Sequence, residues 1–516
     1  MLARSLLVLA PLALAALVPA AIAQTGSAPA PSGPLGDFDG HGDVGAPRIA
    51  GRAAYDAATQ RYTLSAAGVN MWGPRDELHL AWKKLSGDFI VQARLRFEGK
   101  GTDPHRKAGV IARAGLGDDA PYADVAVHGD GLTSLQFRRT KGAATEEAKS
   151  TLTGADVVQL ERRGTTLTMS VAKHGELYTT TEVADLALGD EVYVGIFACS
   201  HNPDVVETAV FDNVRLVKPA PAALVPYRDY LGSRLELLDV ATGARQVVLA
   251  SDEQPFEAPN WTRDGKFLVY NNSGKTKDAG RLVRFDLATG KGAFVDTGAR
   301  VRNNNDHVIS FDGKMLGISD GSDGGQSSVY TVPLAGGEPK RITKLVPSYF
   351  HGWSPDGKWL VYTGGRDGEF DVFRIASDGS GDETNLTKSK GLDDGPEYSP
   401  DGKWVYFNSV RSGTMQVWRM RPDGSEPQQM TNDELNNWFP HLTPDGKQLV
   451  FITFPKDVPP SDHPYYKRVY LRLMPAEGGA PRVIAYLYGG QGTINVPSWS
   501  PDGERLAFVS NSGPLR

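Results

Sequence analysis

A short motif that recurs six times constrains the second half of this 516-residue chain more than any other feature. Each copy ends in an Asp-Gly pair that is followed by an apolar run, and the copies lie 44 to 57 residues apart. The six aspartates are Asp264, Asp312, Asp356, Asp401, Asp445 and Asp502. A period in the forties is typical of a four-stranded propeller blade, in which Asp-Gly forms the tight turn between the first two strands. The repeat therefore predicts a six-bladed β-propeller over residues 224–516.

A second set of turns predicts how this ring closes. The six outer turns span residues 239–243, 286–290, 334–337, 377–379, 421–424 and 476–479. The first outer turn precedes the first Asp-Gly turn, and no outer turn follows the last one. One blade should therefore combine two strands from 234–249 with two strands from 498–510. Such closure by the N- and C-terminal strands removes the exposed edges of the ring.

The region before the propeller, residues 36–217, contains short runs of alternating apolar and polar residues between Gly/Asp-rich turns, such as 88–97, 108–113 and 192–198. Six or more such strands without helices predict a β-sandwich or jelly roll. Two linkers are predicted, a low-complexity segment at 24–35 and a Pro/Ala-rich segment at 218–223. The predicted fold class is all-β, with a sandwich followed by a propeller.

The first 23 residues have the pattern of a signal peptide. Arg4 precedes an apolar run at 6–18, and Ala21-Ile22-Ala23 has the small-x-small pattern of a cleavage site. The mature protein should therefore begin at Gln24, be periplasmic or secreted, and have no membrane span. The formal net charge of −6 argues against a nucleic-acid binder.

The repeated Trp-Ser-Pro-Asp-Gly-Lys motif resembles the TolB β-propeller family over residues 224–516. This resemblance implies a periplasmic protein and allows a role as a Tol-like partner in envelope protein assembly. The preceding region resembles the concanavalin-like lectin/glucanase sandwiches in its early Trp72 and Trp82, its strand at 107–113 and its closing pair at 194–216. The acidic strand of the glucanases is absent, so glycosidase chemistry is not implied. Candidate sugar contacts are Trp72, His79, Trp82, His201 and Asn202.

Polar residues precede each inner strand of the predicted propeller, where loops from all blades converge on one mouth of the central channel. The candidate ligand-binding residues are Glu257, Asn305, Asp306, Asp394, Glu397, Asn437, Gln491 and Asn495. Four histidines map to the same mouth, His307, His351, His441 and His463. Imidazoles together with carboxylate and amide oxygens suit Zn²⁺, Mn²⁺ or Fe²⁺ better than Ca²⁺, so these histidines are candidate metal ligands.

Three functions are compatible with this mouth. The first is recognition of a carbohydrate or peptide. The second is a metal-dependent carbohydrate lyase or hydrolase, because oligogalacturonate lyases are similar propellers that bind a divalent metal and use a basic side chain to take a proton. For that chemistry the candidate acid/base residues are Arg366, Arg411, Tyr466 and Lys467. The third is the Tol-like envelope role. Recognition is favoured because no acid/base pair is identifiable by spacing.

Overall fold

The computed structural model describes residues 32–225 and 228–515, which form 37 strands and no helix. Within these residues no helix could therefore serve as a membrane span. The predicted signal peptide lies outside the described residues. The all-β prediction is confirmed.

Fourteen strands form the first part of the chain as two packed antiparallel sheets. In chain order they are Gly40–Val44 (β1), Arg52–Asp56 (β2), Arg61–Gly68 (β3), Leu78–Ser86 (β4), Phe89–Glu98 (β5), Lys107–Arg113 (β6), Tyr122–His128 (β7), Thr133–Arg138 (β8), Glu146–Lys149 (β9), Val157–Arg163 (β10), Thr166–Ala172 (β11), Thr179–Val183 (β12), Glu191–Cys199 (β13) and Asn202–Val217 (β14). The sheet orders are β1-β4-β13-β6-β7-β8-β9 and β12-β11-β10-β5-β14-β3-β2. Apolar side chains such as Leu64, Phe89, Val110 and Phe211 fill the space between them, as expected of a sandwich.

The remaining strands form six small sheets. The composite blade contains Ser233–Asp239 (β15), Arg245–Ser251 (β16) and, at the end of the chain, Arg505–Ser510 (β37). Blade one contains Phe256–Trp261 (β17), Phe267–Asn272 (β18), Leu282–Asp286 (β19) and Lys291–Phe294 (β20); blade two contains Asn303–Ile309 (β21), Met315–Asp320 (β22), Ser328–Pro333 (β23) and Lys340–Arg341 (β24). Blade three contains Ser348–Trp353 (β25), Trp359–Arg366 (β26), Glu369–Ala376 (β27) and Thr384–Asn385 (β28). Blade four contains Asp393–Tyr398 (β29), Val405–Ser409 (β30), Gln416–Met420 (β31) and Gln428–Gln429 (β32); blade five contains Asn436–Leu442 (β33), Gln448–Phe454 (β34), Lys467–Pro475 (β35) and Arg482–Gly489 (β36).

The ring closes as the turn pattern predicts. Strand β37 pairs with β15, which pairs with β16, so the two ends of the propeller region share one sheet. The innermost position of this blade is reduced to a single bridge between Trp499 and Leu506. The prediction of a six-bladed propeller closed by its terminal strands is confirmed.

The repeated motif has a local structural reason, illustrated by blade three. Ser354 Oγ donates a hydrogen bond to Asp356 Oδ1 at 2.6 Å, and the same oxygen accepts from Lys358 N at 3.1 Å. Gly357 adopts φ +71°, which a side chain would disfavour. The motif therefore recurs because these contacts build each turn from residues adjacent in sequence.

The inner strands of all five complete blades contain a register shift, as in β29 between Asp394 and Glu397. A bulge leaves one residue without a ladder partner and changes the direction in which the neighbouring side chains point. Ala258 and Phe439 adopt positive φ at these bulges, which few non-glycine residues do. The bulges therefore decide which polar side chains enter the channel.

The sandwich packs through its second sheet against the composite blade and blade five, a contact that we call the seam. Arg215 and Arg245 both pair with the fully buried Glu236, at 2.7 and 2.9 Å. Arg245 Nη1 also donates to the carbonyl of Tyr486 at 2.6 Å. Val157 packs there in an apolar cluster with Tyr486. The seam is therefore a buried interface with both ionic and apolar contacts.

Candidate functional site

Three ionisable side chains from consecutive blades meet where the inner strands begin, which we call the front face. His351 Nε2 lies 3.2 Å from Asp394 Oδ1 and 4.0 Å from Asp306 Oδ1. All three side chains are largely buried. Thr363 Oγ1 donates to the same Asp394 oxygen at 2.6 Å. Two carboxylates thus share one imidazole at the front face.

The protonation of these groups is coupled. Burial, reinforced by the charge of Asp394, raises the pKa of Asp306 to about 7 although His351 opposes the shift. Burial disfavours the charged form of His351, but the Asp306 and Asp394 carboxylates outweigh it and raise its pKa. For Asp394 burial is outweighed by the hydrogen bond and charge of His351, so its pKa is lowered. The arrangement can therefore exchange a proton near neutral pH.

His463 lies beside this group, on the loop between β34 and β35. Its ring packs edge-on against Trp438 and Phe439, with ring centroids 4.5 and 5.3 Å apart. Its Nδ1 atom is buried and has no hydrogen-bond partner among the described residues. Burial lowers its pKa, and the charge of Asp394 acts in the opposite direction. We call Asp306, His351, Asp394 and His463 the mouth cluster.

Glu257 provides a further carboxylate close to the mouth cluster. Its oxygens accept hydrogen bonds from Tyr465 Oη at 2.7 Å and from Asn305 Nδ2 at 2.8 Å. Burial raises the pKa of Glu257, although these hydrogen bonds oppose the shift. Its charge also contributes to the raised pKa of Asp306. Glu257 in β17 and Asn305 in β21 thus extend the polar mouth.

A largely buried segment, residues 490–497, crosses the channel beneath the mouth cluster, and we call it the plug. The carbonyl of Gly492 accepts from Ala258 N in blade one at 2.7 Å. The carbonyl of Ile494 lies 2.5 Å from His441 Nε2 in blade five. The backbone of Asn495 lies close enough to His351 in blade three to favour the charged form of that imidazole. Because these blades surround the axis, the plug closes the channel there.

Two of the four predicted metal-binding histidines do not join the mouth cluster. His441 Nδ1 lies 2.6 Å from Glu397 Oε2 while its Nε2 faces the plug, so neither nitrogen is free for a metal. His307 Nε2 is hydrogen-bonded to the carbonyl of Val269 at 3.1 Å. No set of three or more His, Cys, Asp and Glu side chains in the described part of the chain is arranged to hold a metal ion. The expected four-histidine site is not formed.

Strand register explains this difference. His307 and His351 both lie five residues before the Asp of their turn, whereas His441 lies four residues before it. His307 is paired with Ile318 in the ladder, but His351 falls inside the bulge and has no ladder partner. A shift of one residue turns a strand side chain to the other face. Only His351 and the loop residue His463 therefore reach the cluster.

The predicted acid/base residues have other partners. Arg366 Nε pairs with Glu383 at 2.7 Å, and Arg411 Nη2 pairs with Asp393 at 2.9 Å. Tyr466 is buried at the seam, where its hydroxyl accepts from Leu231 N at 3.0 Å. Lys467 is exposed at the start of β35. None of the four makes a hydrogen bond or ion pair with the mouth cluster within 32–225 and 228–515.

Of the remaining candidate ligand-binding residues, two lie in the plug near the mouth cluster and two make their contacts among the blades. The Gln491 side chain lies beside His463 and favours its charged form, and Asn495 Oδ1 accepts from Gly492 N at 2.8 Å within the plug. Asn437 is held by Gln416 of blade four and by Thr453 of its own blade, at 3.1 and 2.8 Å. Glu397 contacts His441 rather than the cluster, as described above.

Sequence reasoning missed Tyr349. Burial raises the pKa of this partly exposed phenol, and the charges of Asp306 and Asp394 reinforce the shift. Tyr349 precedes His351 by two residues and is paired across the hairpin with Thr363, the hydrogen-bond donor to Asp394. Its position two residues before His351, a candidate metal ligand, could have identified Tyr349 from the sequence.

In the sandwich, the candidate sugar contacts are scattered. Trp72 is 43 % exposed, whereas Trp82 is buried. His79 Nδ1 lies 2.6 Å from Asp43 and is buried, and His201 Nδ1 lies 3.2 Å from Asp103. Asn202 begins β14. Of the two tryptophans, only Trp72 is accessible to a ligand.

Comparison with known proteins identifies the propeller. The TolB beta propeller domain matches residues 352–458. An uncharacterized protein of Agrobacterium fabrum is 46% identical over 278 residues, which are 54% of this chain and 92% of the relative. The structure of a candidate TolB from Agrobacterium tumefaciens is 45% identical with a TM-score of 0.51, covering 55% of this chain and 99% of that chain. An oligogalacturonate lyase structure with manganese is 16% identical with a TM-score of 0.35, covering 53% of this chain and 78% of that chain. This chain belongs to the TolB-like β-propeller proteins.

Proposed function

We propose that this protein is an exported, periplasmic recognition protein that binds a peptide segment of an envelope protein at the mouth cluster. Membership of the TolB-like proteins supports a periplasmic location and a protein partner. The predicted signal peptide agrees with export. The observation that carries the proposal is the Asp306–His351–Asp394 arrangement, which concentrates carboxylates at the front face of the channel.

The charge of the mouth selects the kind of group that binds. Asp394 has a lowered pKa and is ionised at neutral pH, so it would attract a lysine, an arginine or a peptide N-terminus. A bound cation would also favour the ionised forms of Asp306 and Glu257, whose pKa values burial raises. Tyr349 and Gln491 add a hydroxyl and an amide at partly exposed positions. A peptide supplies a cation together with backbone donors and acceptors, and a neutral sugar supplies no cation. A peptide ligand is therefore favoured over a carbohydrate.

The lyase alternative receives less support from the same geometry. An acidic oligosaccharide would bring carboxylates towards Asp306 and Asp394, which repel them. Arg366 and Arg411, which could have offset this charge or taken a proton, are paired with Glu383 and Asp393. We therefore keep recognition as the proposed function.

Panning a library of random heptapeptides against the mature protein tests the proposal. We expect enrichment of sequences with lysine, arginine or a free N-terminus. The Asp394→Asn variant should bind an enriched peptide at least about 10-fold more weakly, because it loses one charged partner of the cation. Asp382→Asn is the matched control, since Asp382 is fully exposed and lies 3.9 Å from Lys344 on an outer loop.

Two results would contradict the proposal. One is equal enrichment on the wild type and on Asp394→Asn, which would place the binding surface elsewhere. The other is enrichment of acidic sequences only. If no peptide is enriched but a glycan array gives binding that Asp394→Asn abolishes, the ligand is a carbohydrate and the peptide assignment fails.

A further inference from the structure

The seam contains a cavity of about 230 Å³ that is separate from the mouth cluster. Tyr55 and Tyr62 line it from the sandwich, and Arg234 and Ala250 line it from the composite blade. Leu515 near the end of the chain completes the wall. A ligand in this cavity would contact both parts of the protein.

Arg234 is the exceptional residue in this wall. It is only 7 % exposed, yet its one hydrogen bond to another described residue runs from Nη1 to the carbonyl of Leu216 at 3.2 Å. A guanidinium has five N–H donors. Within residues 32–225 and 228–515 no carboxylate oxygen lies within 4.0 Å of it. Most of its hydrogen-bonding capacity is therefore unused.

The charge around Arg234 is also unbalanced. Arg215 and Arg245 share the single carboxylate of Glu236, so this part of the seam places three buried guanidinium groups around one buried carboxylate. Asp37 at the exposed rim attracts Arg234 only from a longer distance, and burial together with the charge of Arg215 lowers the pKa of Arg234. A buried cation without a partner is costly. An anion in the cavity would remove that cost.

The other charged residues that line the cavity are Asp37, Lys83 and Arg215. Asp37 lies at the exposed rim, and Arg215 is paired with Glu236. Lys83 Nζ is paired with Asp39 at 2.8 Å. Tyr55 makes no hydrogen bond within the described chain and packs against Tyr62, with ring centroids 4.6 Å apart. Its hydroxyl can therefore donate to a ligand. The cavity combines one unpaired cation, a hydroxyl and an aromatic wall.

We propose that this cavity is a second binding site, which takes a small organic carboxylate. Arg234 holds the carboxylate through two parallel N–H···O bonds, the geometry that a guanidinium favours. The body of the ligand lies against Tyr55. The cavity is smaller than the roughly 300–1,000 Å³ of sites for drug-sized ligands, so the ligand has the size of a single ring.

Isothermal titration of the mature protein at pH 7 with three probes, glucuronate, benzoate and inorganic phosphate, tests this site. We expect one of the two carboxylates to bind with 1:1 stoichiometry. Arg234→Gln should weaken that binding by about 10- to 100-fold, the range for losing a charged hydrogen-bond partner. Ala250→Phe should have a similar effect by filling the cavity while Arg234 is kept. Arg61→Gln is the control, because Arg61 pairs with Asp212 at 2.7 Å elsewhere in the seam.

The proposal is overturned if none of the probes binds the wild type, or if Arg234→Gln and Ala250→Phe both bind like the wild type. Binding of phosphate alone would show an inorganic-ion site and would also overturn it. If Arg234→Gln fails to fold, the binding measured for Ala250→Phe decides.

Discussion

At the scale of single residues, Asp306 shows how burial and neighbours decide protonation. Its side chain accepts a hydrogen bond from Asn304 Nδ2 at 2.7 Å and faces His351 at 4.0 Å. Neither contact compensates for burial, so its pKa is raised to about 7. In the unfolded chain this carboxyl has its ordinary pKa near 4. Its ionisation therefore destabilises the folded state as the pH rises.

The sign of this effect gives a prediction for Asp306→Asn. Below about pH 4 the carboxyl is protonated in both folded and unfolded states, so variant and wild type should be similarly stable. As the pH rises from about 4 to about 7, the wild type loses stability because the unfolded chain releases this proton while the buried carboxyl retains it, and the loss is complete above pH 7. At pH 8 the variant should exceed the wild type by more than about 1 kcal/mol in free energy of unfolding. Urea unfolding at pH 4.5 and pH 8 measures this.

Asp382→Asn, at an exposed position, serves as the control for that comparison. An Asp306→Asn variant that is less stable than the wild type at pH 8 would show that the negative charge of Asp306 is needed by His351. The pKa assignment would then be wrong.

At the scale of structural elements, the plug depends on glycines. Gly492 adopts φ +82°, and a Cβ there would meet Glu257 Cγ at 2.5 Å. Gly490 adopts φ +138°, and a Cβ there would collide with the carbonyl of Pro464. Both glycines therefore allow the backbone to pass close to neighbouring elements. The Gly-rich run before the last Asp-Gly turn serves this close approach.

Gly492→Ala should therefore destabilise the protein. Gly357→Ala is a matched control, because Gly357 adopts φ +71° but has no atom within 4 Å of its would-be Cβ. Both substitutions place a Cβ on a residue with positive φ and therefore strain the backbone. Only Gly492→Ala also brings that Cβ into contact with Glu257. We expect it to cost about 1–3 kcal/mol more than the control, the usual penalty of overpacking. Equal losses measured by urea denaturation would show that the plug relaxes without cost.

At the scale of the whole molecule, the seam joins the sandwich to the blade that closes the ring. Glu236 in β15 is the acidic centre of this contact. Burial opposes its charge, but Arg215 and Arg245 outweigh burial and hold its pKa well below the usual range. This stabilisation is present above the ordinary pKa of a glutamate and is lost as the pH falls through the lowered value. Glu236 thus stabilises both the blade that closes the ring and the contact of that blade with the sandwich.

Glu236→Gln should destabilise the protein by about 3–5 kcal/mol, because it leaves two buried guanidinium groups without a counter-charge. Glu504→Gln is the control, since Glu504 is exposed beside the last Asp-Gly turn. Differential scanning calorimetry at pH 7 compares their melting temperatures. A Glu236→Gln variant that melts like the control would show that the seam contributes little to stability.

Local chemistry made the number and order of blades predictable from the sequence. Each Asp-Gly turn is built from hydrogen bonds between residues two to five positions apart, such as Ser354 with Asp356. Every copy of the motif therefore predicts the hairpin that it forms. The order of inner and outer turns then requires the composite blade, because a ring leaves no free edge. The number and order of blades can therefore be predicted without knowing which residues distant in sequence come into contact.

The candidate site was only partly predictable for the opposite reason. The sequence placed His351, Asp306, Asp394 and His463 at one mouth, but the same reasoning included His307 and His441. What separated them was the position of a bulge and the path of the plug, which meets His441 across 53 residues of sequence. The unpaired Arg234 likewise follows from the packing of two domains. Because a one-residue shift in a strand reverses a side chain, only the tertiary structure could decide which polar groups meet.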